Sequence, residues 1–499
     1  MNKYINIIAN FFGRGWSILL TIGLTPLYIN TLGFEAYGLI GVFATVQSLA
    51  AILEMGFPQA LNRSVARFTG GASTPEEVSS LFRLFERMFC GFALFLIAIA
   101  YPLAIFLSSY WVSFEALLLK NVIYSLLCII VLVAMRFPIG LYLAILGGLQ
   151  QQVKMNFLSV YFVTQKLVGA AIVIIFWKND ITVFFIYQIL SSIIELVTIR
   201  FVTWRAHPEF RPKAVILREK VMENIKFASQ IGGITLLGTL IIQADKIILA
   251  KKMGLTEFGH YSLIGTIGMG LITLGYPVGT ASFPHFSKLI AQKDTTSLRK
   301  EFWFYFRIIA AIIIPVTVSL ILYGVEFLNF YVDQFLPSNI YLTFQIFIAA
   351  AMFGTFTPLP YGLILAVGKS NLVLNFYVVA FVIYLVLVYG LIEKFGIVGA
   401  ASSFLILQIT TFLYFTSIAF KVTQLSNILT TLVNGLLLPF IISMAIGYML
   451  QNLLFLVFGA TSIFISLPVI LVSSIGILFF ILTSQSERSY LIELLRKKM

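Results

Sequence analysis

The chain has 499 residues, 60% of them hydrophobic and 11% charged, with a formal net charge of +13 and a mean hydropathy of +0.99. Soluble domains carry about a quarter charged residues, so globular cytosolic, periplasmic and nucleic-acid-binding classes are excluded. What remains is an all-α polytopic membrane protein: apolar runs of about 20 residues match a hydrocarbon layer about 30 Å thick, and only helices satisfy their own amides in lipid at such lengths.

In chain order, hydropathy and helix breakers predict 14 spans, near 4–30, 36–57, 82–108, 121–147, 154–177, 181–204, 224–252, 258–284, 301–328, 339–367, 371–392, 397–420, 427–451 and 462–483. The first apolar stretch carries Arg14 midway and no small-residue cleavage site after it, so it reads as a span and not as a cleaved leader. Pro26, Pro58, Pro102, Pro138, Pro277, Pro284, Pro315 and Pro358 fall within spans or near their ends, where they are expected to kink helices. With the N-terminus placed in the cytoplasm, the inner segments hold 23 lysines and arginines and the outer segments five (Lys120, Lys178, Lys251, Lys252 and Lys394). The bias predicts both termini inside. It also makes the basic loops topology signals beside anionic lipid, with no call for nucleic acid.

The chain repeats itself at a spacing near 220. Gly33-Phe34-Glu35-Ala36-Tyr37-Gly38 matches Gly254-Leu255-Thr256-Glu257-Phe258-Gly259, and Gly56-Phe57-Pro58 matches Gly275-Tyr276-Pro277. Pro138-x-Gly140-Leu141 matches Pro360-x-Gly362-Leu363, and Asn156-Phe157 matches Asn375-Phe376. Six spans per repeat put both halves into the membrane the same way up, as parallel repeats. The expected organisation is an N-terminal six-helix lobe over 1–215, a C-terminal six-helix lobe over 216–425, and two additional spans with a basic cytoplasmic tail over 426–499.

Ionisable groups inside spans are costly and normally face protein or a water-filled cavity. On the first span Asn6, Asn10, Arg14, Ser17, Thr21 and Thr25 recur at helical spacing on one polar face. Lys166 lies mid-span on the fifth, Gln243 and Lys246 on the seventh, and Arg136 and Arg307 on the fourth and ninth. The expected cationic cavity is thus Arg14, Arg136, Lys166, Lys246 and Arg307, with Asn10, Ser17 and Gln243 as its polar lining. Against these stand Glu54, Glu195 and Asp245, the candidates for ion coupling, and the positive excess suits a phosphate or diphosphate ligand. Bland alternatives stand beside each: Arg14 and Arg307 snorkelling to the interface, Lys166 pairing with Glu195 as a strut, and Arg63 and Arg67 acting as topology residues instead of a cytoplasmic gate. Asp245 and Lys246, about 100° apart on a helix, are expected to take different partners.

Other chemistry is thinly represented. Cys90, Cys128, His207, His260 and His285 lack metal-ligand spacing, so neither a metal nor another cofactor is expected. The run Gly362 to Ser370 approaches a phosphate-binding loop but is one residue too long and ends a hydrophobic span.

The run Thr25-Pro26-Leu27-Tyr28-Ile29 … Leu32 to Leu39, then Met55-Gly56-Phe57 … Arg63, resembles the N-terminal signature of polysaccharide (Wzx-type) flippases. Asp245-Lys246-Ile247-Ile248-Leu249, Gly259-His260-Tyr261-Ser262, Phe283-Pro284 … Ser287-Lys288-Leu289 and Phe395-Gly396-Ile397-Val398-Gly399-Ala400-Ala401 extend the resemblance over nearly the whole chain. It implies membership of the multidrug/oligosaccharidyl-lipid/polysaccharide exporter superfamily, in which two six-helix lobes enclose a cationic cavity. A polyprenyl-diphosphate-linked oligosaccharide then passes from the cytoplasmic to the outer leaflet of the bacterial inner membrane for O-antigen, capsule or exopolysaccharide synthesis. Arg14 matches the first-helix arginine region of that cavity. The resemblance also implies lipid-linked oligosaccharide and membrane lipids as partners, with a polysaccharide polymerase and glycosyltransferases alongside. The competing readings are an ion-coupled multidrug antiporter of the same superfamily, which would want acids where Arg14 stands, and a membrane glycan polymerase or ligase, which would want a large outer loop.

Overall fold

The computed structural model describes residues 3–54, 56–206, 236–425 and 433–458, and every described secondary-structure element is helical. In chain order these are α1 (Lys3–Leu32), α2 (Phe34–Leu53), α3 (Phe57–Thr69), α4 (Pro75–Ala98), α5 (Ala100–Tyr110), α6 (Leu119–Gly148), α7 (Gln152–Phe176) and α8 (Ile181–Ala206). A helix α9 is described over residues 236–252. There follow α10 (Leu255–Thr273), α11 (Gly275–Ala291), α12 (Thr295–Leu322), α13 (Gly324–Val332), α14 (Ser338–Phe356), α15 (Pro358–Ala366), α16 (Ser370–Thr423) and α17 (Leu438–Phe458). Nine of the described helical segments are long and apolar enough to cross a membrane, ten if α4 and α5, bent by 61°, count as one. The expected span 462–483 lies outside the described residues.

Several expected spans are broken, and the breaks fall where the chemistry predicts. The expected span 82–108 divides at Ile99, with Pro102 in the first turn beyond. The expected span 339–367 divides between α14 and α15 at Thr357, and Pro358 opens the second piece, where a missing N–H costs no hydrogen bond. Pro26, Pro138, Pro284 and Pro315 sit inside helices instead. The expected span 36–57 ends earlier, at Leu53, and Pro58 starts the separate helix α3. Conversely, two expected spans, 371–392 and 397–420, run together in α16 across Gly396, whose φ of 57° and ψ of −132° suit a residue without a side chain.

Two compact units divide the chain, Met1–Leu263 and Ile264–Met499. The division falls inside α10, beyond the expected lobe boundary at 215, because α9 and the start of α10 pack onto the first unit. In that unit α6 packs against α3, α4, α5 and α8, and α1 packs against α7. The core is aromatic: Phe82, Tyr142 and Trp204 meet at centroid distances of 5.0–5.6 Å, and Phe57 tilts onto Phe85 at 4.7 Å. The helix α3 is amphipathic, burying Phe57, Ala60, Leu61, Ser64 and Val65 and leaving Arg63 exposed. In the second unit α14 lies along α16, and α11 along α15. Its core centres on Phe302, Phe306, Phe356 and Phe412, with Phe306 stacked on Phe356 at 4.7 Å.

Candidate functional site

The polar residues of the spans are organised into acid–base pairs and hydroxyl ladders. On α1 the hydroxyls of Ser17, Thr21 and Thr25 donate to the carbonyls of Gly13, Ser17 and Thr21, each one turn back, at 2.8–2.9 Å. This back-bonding satisfies a hydroxyl inside a membrane helix without a partner helix. The backbone of α1 carries Arg14 and Asn10 on the same face by spacing; their side chains fall outside the described residues. Beside this ladder, Trp16 donates its indole N–H to Thr164 at 2.8 Å, tying α1 to α7.

Three of the expected cavity cations meet the three expected coupling acids. Arg136 Nε lies 3.6 Å from Glu54 Oε1. The pair joins α6 to the end of α2, and Glu54 sits over Gly140, one helical turn from Arg136. Lys166 Nζ donates to Glu195 Oε2 at 2.5 Å, joining α7 to α8 as the strut weighed from the sequence. In the stretch around Lys166, three successive carbonyls of α7 accept side-chain donors: Gln165 from Tyr187 at 3.0 Å, Lys166 from Gln188 at 3.1 Å and Leu167 from Tyr28 at 2.5 Å.

The third meeting corrects an expectation. Asp245 and Lys246 do not take wholly different partners. Lys246 Nζ sits 3.5 Å from Asp245 Oδ1 while also donating to Ile242 O at 3.0 Å, because the flexible lysine stem lets its ammonium fold back over its own helix. Asp245 is completely buried. Its other oxygen accepts a hydrogen bond from Tyr261, which is itself fully buried, at 2.5 Å. One turn before Lys246, Gln243 is buried with no described partner for its Oε1. Arg307, in the second unit, lies 5.9 Å over the ring of Trp303. Arg63 is on the exposed face of α3. Among the described side chains, Arg136, Lys166 and Lys246 thus each meet one of the three acids.

Some structurally important residues went unnoticed in the sequence. Tyr261 entered only as part of a resemblance, although an aromatic hydroxyl 16 residues from a buried acid was available as a partner. The carboxylate of Glu35, also buried, accepts the backbone N–H groups of Glu115, Ala116 and Leu117 at 2.6–3.1 Å. Tyr142 donates to Glu86 at 2.6 Å, holding α6 to α4. No local spacing relates Glu35 or Glu86 to such distant partners.

The described site thus combines broken apolar helices with ion pairs that are partly or wholly withdrawn from solvent. The fold matches the lipid II flippase MurJ in an inward closed conformation with a TM-score of 0.70, covering 96% of this chain and all of that one at 14% identity. It matches an inward-facing multidrug resistance MATE family transporter of the MOP superfamily with a TM-score of 0.66, at 13% identity, over 82% of this chain and 96% of that one. A Shigella flexneri protein provisionally named as an O-antigen transporter is 21% identical over 402 residues, 80% of this chain and 93% of its own. The family model for polysaccharide biosynthesis proteins matches residues 5–290, more than half of the chain. The chain belongs to that family, on the fold of the MOP-superfamily transporters.

Proposed function

We propose that this protein flips polyprenyl-diphosphate-linked oligosaccharide from the cytoplasmic to the outer leaflet of the bacterial inner membrane, by alternating access, for assembly of a surface polysaccharide. The observation that carries the reading is family membership over residues 5–290 in a chain whose helices follow a lipid II flippase over 96% of its length. The physics agrees. A diphosphate crossing hydrocarbon unaided loses its hydration at a cost of many kcal/mol, so fixed cations in a wet interior have to replace that shell.

In this reading Arg14 and Arg307 supply positive charge that meets the diphosphate. Arg136, Lys166 and Lys246 face their acids inside the spans and exchange partners as the head group passes. Asn10, Ser17 and Gln243 supply polar lining to the sugars, Arg63 meets the lipid phosphate at the cytoplasmic entrance, and Glu54, Glu195 and Asp245 are the groups through which an ion gradient would act. The working halves are the repeats, 1–215 and 216–425, with 426–499 appended and both termini in the cytoplasm. Transport is not enzymatic, and the products serve a polysaccharide polymerase and glycosyltransferases in the same membrane.

The test is deletion in the native host, followed by analysis of its lipid-linked intermediates. Complete repeat units accumulating on the cytoplasmic leaflet are expected; truncated units would point to an enzyme, and unchanged intermediates with lost drug resistance to an antiporter.

A further inference from the structure

The two copies of the first repeat motif touch each other. A side chain on Gly38 would overlap the carbonyl of Leu255, and one on Gly259 would overlap the carbonyl of Phe34. Phe34 follows Gly33 as Leu255 follows Gly254, so equivalent positions exchange equivalent contacts, the signature of a local two-fold axis. The contact continues along α2: a side chain on Gly41 would overlap Ser262, and the ring of Phe34 lies 4.1 Å from that of His260. Backbone meets backbone here because Gly38 and Gly259 carry no side chains.

A strap crosses this junction. In the segment between α5 and α6, Trp111 donates its indole N–H to Ile247 O at 3.0 Å. Ser113 N donates to Ala250 O at 3.3 Å and Ser113 O accepts from Leu255 N at 2.8 Å, a two-way backbone pairing with the corner between α9 and α10. A few residues on, the amides of 115, 116 and 117 close around the carboxylate of Glu35 in the first turn of α2. Successive amides converging on one carboxylate form an anion nest, here filled by a side chain of the protein itself. One short strap thereby pins the first repeat to the second.

We infer that this junction is a closed gate, that residues 111–117 are its latch and that Glu35 is the pin. The inference rests on the flippase reading: the contact joins residues of the two repeats, so any rocking of one against the other must part it. Its face is the one that the lysine and arginine count assigns to the outside, where the head group has to leave. The contact is suited to that task. It excludes water by shape, while the directional bonds concentrate on a strap that can let go as a unit.

The test reads opening without transport. In a chain with Cys90 and Cys128 replaced by serine, Ala36→Cys puts a thiol on the buried side of the junction, where Ala36 is 3% exposed. In intact cells, a membrane-impermeant maleimide should label it slowly, and at least fivefold faster when Glu35→Gln removes the pin. Equal rates in the two backgrounds overturn the latch, and labelling only from the cytoplasmic side overturns the gate's position. A second measurement links Phe34→Cys to His260→Cys with a short thiol-specific reagent. Linking should stop export of the lipid-linked glycan and reduction should restore it. Full export by the linked protein overturns the gate, whereas a wild-type protein that exports no glycan counts against the substrate reading alone.

Discussion

The phenol of Tyr261 donates to the carboxylate of Asp245 at 2.5 Å, with both side chains buried. The hydrogen bond links α9 to α10, and it leaves Lys246 to cover the other oxygen. A phenol bonded to a buried carboxylate is among the stronger neutral-to-charged hydrogen bonds. Tyr261→Phe keeps the ring and removes the donor. It is expected to lower stability by about 1–3 kcal/mol, seen as a lower unfolding temperature of the purified protein in detergent. An unchanged unfolding temperature would show that the hydroxyl contributes nothing.

Lys166 and Glu195 form a pair that is largely, though not wholly, withdrawn from solvent, with side-chain exposures of 25% and 14%. Removing one partner of such a pair strands the other. The summed destabilisations of Lys166→Met and Glu195→Gln are expected to exceed that of the double variant, with a coupling of about 0.5–3 kcal/mol in a double-mutant cycle. Additive unfolding free energies would mean that the two charges ignore each other.

Gly169 faces the hydroxyl of Tyr187, which donates to Gln165 O at 3.0 Å, and no room remains for a methyl group. Gly169→Ala has to push Tyr187 from its carbonyl. The expected cost is about 1–3 kcal/mol, typical of overpacking, and Tyr187→Phe in the same chain should recover part of it by removing the obstructing hydroxyl. Thermal unfolding of Gly169→Ala and of the double variant decides this.

Much of the fold was readable from composition and spacing. Apolar runs, proline positions and the motif repeat pointed to kinked helices in two related halves, and the breaks before Pro102 and Pro358 fall in the expected spans. Pro58 was harder: an isolated proline near a span end looks the same whether it kinks a helix or opens a new one, and here it opens α3. The ion pairs were only half legible. Spacing identified Lys166, Glu195, Arg136 and Glu54 as ionisable groups within or near spans, but which helix lies beside which is a tertiary fact, so only Lys166 with Glu195 was matched as a pair. Asp245 and Lys246 were judged by rigid helical geometry, which ignores how far a lysine stem can swing.

Arg136 and Arg14 are tested separately. Arg136→Met combined with Glu54→Gln removes a partner pair and leaves the net charge of the spans unchanged. Surface glycan should nevertheless fall at least tenfold, a barrier change of about 1.4 kcal/mol, because a cation that exchanges partners and a coupling acid are lost together. Arg14→Ala should abolish surface glycan while the protein still inserts, and Arg14→Lys should restore part of it by keeping the charge without the guanidinium fork. Quantitative staining of surface polysaccharide in a complemented deletion strain checks both.

The central claim is that fixed positive charge in a wet interior carries a diphosphate head group across the membrane. Its most direct measurement is flipping in proteoliposomes holding a polyprenyl diphosphate with a fluorescent oligosaccharide, scored by external glycosidase. With the wild-type protein, nearly the whole labelled pool should become cleavable, while protein-free vesicles and the Arg14→Ala variant keep the inner-leaflet share protected. An inner-leaflet share that stays protected in the presence of folded wild-type protein would contradict the account.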